Sequence, residues 1–147
     1  MELNTASEVI SLAKKLEEDG AKLYEDLAQR YIKDRETWLS FAKENRRNVI
    51  QIERAYYEVI TDAIEGCFSF KINPDEYMLK TKLAENASYS DALNKAARME
   101  EKIIKFYSDA AEQSKSLLAD VPRVFMMVAR KRDDRRAKLG SLLTKEG

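Results

Sequence analysis

Two glutamates, two arginines and two asparagines sit where a helical chain should place apolar side chains. Glu17 lies in LEEDGAKLY (16–24) and Glu100 in MEEKIIKFY (99–107). On a helix, Glu17 falls on one stripe with Ile10, Tyr24 and Tyr31, flanked by Leu16, Leu23 and Leu27, because residues i, i+3, i+4 and i+7 share a face. Glu18 falls with Ser11 and Glu25 and faces water. Glu100 is enclosed in the same way by Leu93, Ala96, Ile103, Ile104 and Tyr107. A carboxylate turned toward a core needs a cation or hydrogen-bond donors. Arg132 and Arg135 share the inward face of a later segment with Phe125, Val128 and Leu139, and Asn45 and Asn48 share that of an earlier one with Trp38, Phe41 and Ile52. Two carboxylates and two guanidiniums sum to zero charge. The planar guanidinium fork meets a carboxylate with two hydrogen bonds, Asn45 and Asn48 fill remaining donor and acceptor positions, and Tyr24 and Tyr107 donate to the carboxylates. The chemistry expected is a buried ion-pair cluster, with no catalytic residue and no cofactor.

Helices must position these groups. The 147 residues suit one domain with a real core, and 35% charged, 44% apolar, 4 Gly and 2 Pro favour an all-helical protein. The patterns predict helices over about 5–31, 35–66, 89–118 and 122–143. Thr5 or Ser7 caps the first, Asp34 opens the second, and Gly66 suits its C-cap. Ser88 and Asp91 have capping-box spacing before the third. Asp120 and Pro122 open the fourth, which ends near Gly140 or a few residues beyond. The link 67–88 is too long for a tight turn and contains Asn73-Pro74. A crossover of that length traverses a bundle, giving hairpin, crossover, hairpin, and part of it, about 75–87, has the pattern of a short helix.

The hairpins also repeat. A shift of 83 residues lays Ile10, Ala13, Glu17 and Tyr24 over Leu93, Ala96, Glu100 and Tyr107. A shift of 87 lays Trp38, Ala42, Asn45, Asn48 and Ile52 over Phe125, Ala129, Arg132, Arg135 and Leu139. Repeats of this kind mark a shared structural unit, and all four helices bring their polar groups to one level.

With those residues in view, the chain resembles the ferritin-like superfamily, in particular its rubrerythrin-like branch. The features carrying the resemblance are a Glu seven residues before the Tyr of an (F/L)Y pair on helices one and three, and an aromatic-x-x-apolar-Ala stretch leading to the site on helices two and four. It implies a ferritin-like four-helix bundle. It also implies a di-iron site reacting with oxygen or peroxide, in which each of two helices gives one Glu and each of the others a Glu-x-x-His. Glu17 and Glu100 match the single carboxylates. Asn45 stands in the place of the helix-two Glu and Asn48 in that of its His, with Arg132 and Arg135 in the corresponding places on helix four. The chain contains 0 His, and a guanidinium has no lone pair to give a metal. The expectation is therefore a metal-free, non-catalytic bundle acting as a structural or protein-interaction module. The alternative is a di-metal oxidoreductase with iron in an all-carboxylate site, using Glu17, Glu100 and Glu44 or Glu53.

Other functions find less support. The 26 basic and 26 acidic residues cancel, so no bulk charge points to nucleic acid or membrane. From 121 to 147, eight basic residues outnumber three acidic ones, but two of these arginines point inward and no aromatics interleave for base stacking. An anion site at Arg132 and Arg135 competes with the two glutamates. The longest apolar run, VFMMVA (124–129), is too short to span a bilayer, and the first residues lack a signal-peptide core, so a cytoplasmic location is expected. Cys67 is the only cysteine. Tyr56 and Tyr57, with Val59, Ile60 and Ile64, extend the apolar face of helix two, giving the expectation of a homodimer through helix two and the crossover, or of another protein partner.

Overall fold

A computed structural model describes residues 2–59, 70–114 and 120–146. Four α-helices account for most of them: α1 (Ala6–Arg30), α2 (Arg35–Val59), α3 (Tyr89–Ser114) and α4 (Asp120–Glu146). No strand element occurs among the described residues. Among the described residues the chain is thus all-α, with four α-helices. Its largest packing surfaces join α1 to α2 and α3 to α4, with α2 against α4 and α1 against α3 completing the core.

Local chemistry explains the helix starts. Thr5, not Ser7, is the first N-cap: its side chain accepts from the Glu8 amide at 3.2 Å, and Glu8 accepts from the Thr5 amide at 3.1 Å. Backbone and carboxylate hydrogen bonds hold the Glu8 carboxyl below its usual range. Asp34 adopts φ 62° in the link between α1 and α2, a left-handed conformation that a short polar residue tolerates. Its carboxylate accepts from Tyr89 on α3 at 2.7 Å. Ser88 and Asp91 close their capping box at 3.0 and 3.1 Å.

One expectation needs correction, and two others concern helix ends. The helix expected over about 75–87 reduces to one 3₁₀ turn, Pro74–Tyr77, capped by Asn73; residues 78–84 run on without regular structure. Several of their carbonyls are taken instead by side chains of α1 and α3, so the segment needs no ladder of its own. Next, α4 is described over Asp120–Glu146 and so runs a few residues beyond Gly140. A glycine ends a helix by entering the left-handed region, and no glycine among the described residues has positive φ. The ends expected for helices two and three at 66 and 118, and the C-cap at Gly66, lie outside the described residues, as do Cys67, Ile60 and Ile64.

A feature the periodicity does not carry is an antiparallel bridge between Leu3 and Ile72. Their amides exchange hydrogen bonds of 2.7 and 3.2 Å, and Phe70 donates to the Asn4 carbonyl at 3.1 Å. Leu3, Phe70 and Ile72 are buried, so the N-terminal segment and the crossover together extend the core.

The repeat is visible in the packing. Tyr24 stacks on Trp38 with ring centroids 5.9 Å apart, and the equivalent pair, Tyr107 and Phe125, is also 5.9 Å apart. Ile10, Ala13, Leu93 and Ala96 are buried at matched positions.

Candidate functional site

Glu17, Asn45, Asn48, Glu100 and Arg132 have no exposed surface, and Arg135 has 3%. They are all the buried polar or charged residues among those described. Each helix presents its share on its inward face, as the heptad spacing of the surrounding apolar residues requires.

Arg132 on α4 bridges the two carboxylates. Its Nη1 donates to both oxygens of Glu100, at 2.9 and 2.7 Å. On its other edge, Nε donates to Glu17 Oε1 at 3.3 Å and Nη2 to Glu17 Oε2. Arg135 lies one turn along α4. Its Nη1 donates to Asn45 Oδ1 at 2.6 Å and to Glu100 Oε1 at 3.2 Å, while Nη2 pairs with Glu44 at the rim of the bundle. The Arg135 guanidinium also stands 4.7 Å from the Phe41 ring centroid and 5.5 Å from that of Tyr24, within cation–π range.

The tyrosines donate across the repeat. Tyr24 of the first hairpin donates to Glu100 of the second, and Tyr107 of the second donates to Glu17 of the first at 2.6 Å. Burial opposes ionisation of Glu100, but Arg132, Arg135 and the Tyr24 hydroxyl outweigh it and hold its carboxyl below the usual range. Burial likewise works against the Arg132 cation, yet the Glu100 and Glu17 charges push its pKa well above the ordinary guanidinium value. Burial, followed by the neighbouring carboxylate, raises both phenols far above their usual range. The tyrosines therefore remain protonated donors.

Asn45 and Asn48 part company. Asn45 accepts from Arg135 and donates through Nδ2 to the Glu17 carbonyl at 3.0 Å. The Asn48 side chain, expected to fill the same network, makes no hydrogen bond among the described residues. It lies one turn further along α2, beyond Glu44 and Asn45, which together with Glu100 take the Nη groups of Arg135.

Gly20 was not singled out from the sequence, and it shapes the site. A Cβ there would lie 2.8 Å from Asn45 Nδ2, closer than unbonded atoms allow. The bare backbone of α1 at this point lets Asn45 reach the Glu17 carbonyl. The available signal was a glycine in mid-helix, three residues after the inward-facing Glu17, on the same buried face.

This donor set does not fit a di-metal centre. Both buried carboxylates are engaged by a guanidinium set between them, and that guanidinium offers no lone pair. Glu44 is committed to Arg135, while Glu53 is drawn away from the cluster to Lys14 at 2.6 Å. The all-carboxylate set is not assembled. Among the described residues, no group of three or more His, Cys, Asp or Glu is placed to hold a metal ion. A general base functions best with a pKa near the working pH, and the Glu100 carboxyl is pushed away from it by Arg132 and Arg135. Among the described residues, no helix is long and apolar enough to cross a membrane.

Compared with protein-family models, characterised proteins and solved structures, the chain matches none.

Proposed function

We propose that this chain is a diverged ferritin-like bundle of the rubrerythrin-like kind in which a Glu/Arg/Asn cluster takes the structural place of two metal ions. In this reading it is a non-catalytic structural or protein-interaction module. One observation carries it: Arg132 stands between Glu17 and Glu100 and hydrogen-bonds both, so the positive charge that would otherwise come from metal is supplied by a side chain. The matched Glu–Tyr positions and aromatic pairs of the two hairpins support the family assignment.

The interaction face is assigned to α2, where Leu39, Ile50 and Tyr57 are exposed, with a second copy of the chain as partner. A monomeric mass by analytical ultracentrifugation at micromolar protein removes that assignment and leaves the metal-free reading standing.

Anaerobic Fe(II) titration of the chelator-treated protein, followed by oxygen and metal analysis, tests the central reading. The expected result is no stoichiometric iron and no oxo-bridged absorption. Two irons per chain with rapid oxidation would overturn it.

A further inference from the structure

A second polar region lies outside the core. The irregular stretch 78–87 runs alongside α3 and leaves a cleft of about 680 Å³ between them, within the range of small-molecule sites. Its apolar lining comes from Leu79, Leu83 and Met99, with Leu83 and Met99 almost wholly buried. Around that lining stand Lys80, Lys82, Lys95, Arg98 and Lys102, against a single acid, Asp91. No ion pair among the described residues involves any of the five cations, as is also true of several other surface lysines and arginines.

The cleft is held open by side chains. Lys102 donates to the Met78 carbonyl at 2.9 Å and Lys95 to the Lys80 carbonyl at 2.8 Å. From the opposite side, Arg30 donates to the Ala84 and Leu83 carbonyls at 2.9 and 3.2 Å, and Tyr31 to the Ala87 carbonyl at 3.0 Å. Ties from α3, from α1 and from its C-cap Tyr31 fix the irregular segment that forms one wall. This leaves the side chains of Lys80, Lys82 and Arg98, all exposed, lining the cleft without a tie to its wall. A preformed cleft of mixed polar and apolar lining, with cations around a small apolar floor, suits a ligand with an apolar body and an anionic group, because ordering costs are met in advance.

We infer that the cleft between residues 78–87 and α3 binds a small organic anion, an acyl or aryl carboxylate, sulfonate or phosphate, with its apolar body on Leu83 and Met99 and its charge among Lys80, Lys82 and Arg98. This site is independent of the core cluster and of the metal-free reading.

The test uses three probes on the full chain: anilinonaphthalene sulfonate, its uncharged relative phenylnaphthylamine, and inorganic sulfate. The expected result is saturable binding of the sulfonate at one site per chain, with the neutral probe and sulfate alone each weaker by about tenfold or more. The double substitution Lys82→Glu with Arg98→Glu should weaken the sulfonate by about tenfold and leave the neutral probe unchanged. An unaltered near-ultraviolet circular dichroism spectrum and melting temperature would show that the double variant is folded. Multiple unsaturable sites, equal binding of both aryl probes, or retention of full affinity after charge reversal would each overturn the proposal. So would displacement of the sulfonate by phosphatidylglycerol vesicles that co-sediment with the protein, an outcome that would make the cleft a lipid-surface contact.

Discussion

The two hairpins share a plan and differ in charge. The α1–α2 hairpin buries one carboxylate, Glu17, beside two neutral asparagines, whereas the α3–α4 hairpin buries Glu100 together with Arg132 and Arg135. One half therefore carries a buried negative charge and the other a buried positive charge; neutrality arises only when they meet. The tyrosines follow the same rule, each donating to the glutamate of the opposite half. The matched pairs Tyr24–Trp38 and Tyr107–Phe125 lie within their own hairpins, while Tyr89 at the start of α3 packs across the halves on Tyr31 and Trp38. Apolar packing builds each half, and the polar cluster specifies how the halves join.

The sharpest way to break this comparison is Arg132→Met, which keeps much of the volume and strands both glutamates. Loss of one partner from a buried pair costs about 3–5 kcal/mol. Urea unfolding should show that loss, while Arg136→Met, which removes only the surface pair with Asp133, should stay within about 0.5 kcal/mol of the parent. Similar midpoints for the two variants would mean that the cluster does not join the halves.

Phenol removal asks whether the two crossings are equal. Hydrogen bonds to charged groups contribute about 1.5–3 kcal/mol, so both Tyr107→Phe and Tyr24→Phe should destabilise. Glu100 keeps two arginines when Tyr24 is lost, whereas Glu17 keeps only Arg132 when Tyr107 is lost. Tyr107→Phe should therefore cost more. The reverse order in thermal or chemical unfolding would contradict this assignment of partners.

Gly20→Ala should cost about 1–2 kcal/mol in chemical unfolding, since overpacking at Asn45 outweighs the gain in helix propensity of about 1 kcal/mol. In an Asn45→Ala background the clash vanishes, and the same substitution should stabilise. A sign that does not change between the two backgrounds would place the strain elsewhere.

The smallest effect expected is the response to pH near neutrality. Glu100 titrates lower in the folded chain than in the unfolded one. Its contribution is therefore full above the unfolded value of about 4.3 and is lost as pH falls through the folded value. Tyr24 and Tyr107 are raised by folding, so their contribution is full below about pH 10 and is lost as pH rises further. Melting temperatures should be nearly flat from about pH 5 to 9 and fall on either side. Arg132→Met should lose much of the acid-side fall, because the cation nearest Glu100 is gone.

The core cluster was legible in the sequence because helical periodicity places residues on faces. Glu17, Glu100, Asn45, Asn48, Arg132 and Arg135 each interrupt an apolar stripe, and the repeat aligns them at one level. Periodicity does not report distance along a side chain, so the engagement of Asn45 and the isolation of Asn48 were beyond it. Gly20 escaped for a related reason: its role is defined by an approach from α2, not by its own helix. The Leu3–Ile72 bridge joins two short segments far apart in sequence, and neither has enough residues to show an alternating pattern. The end of helix four could be set only near Gly140 or a few residues beyond, because a glycine near a helix end usually stops it, while at this exposed position with open space around it the helix continues.

The side-chain ties on the crossover have one more consequence. They hold carbonyls, at Met78, Lys80, Leu83, Ala84 and Ala87, whereas among the described residues the amides of 78–86 donate no hydrogen bonds. Order and exchange protection are thereby uncoupled in this segment. Its amide hydrogens should trade with deuterated solvent almost as fast as those of an unfolded peptide, while a protease, which needs the backbone to leave its place, should find little to cut.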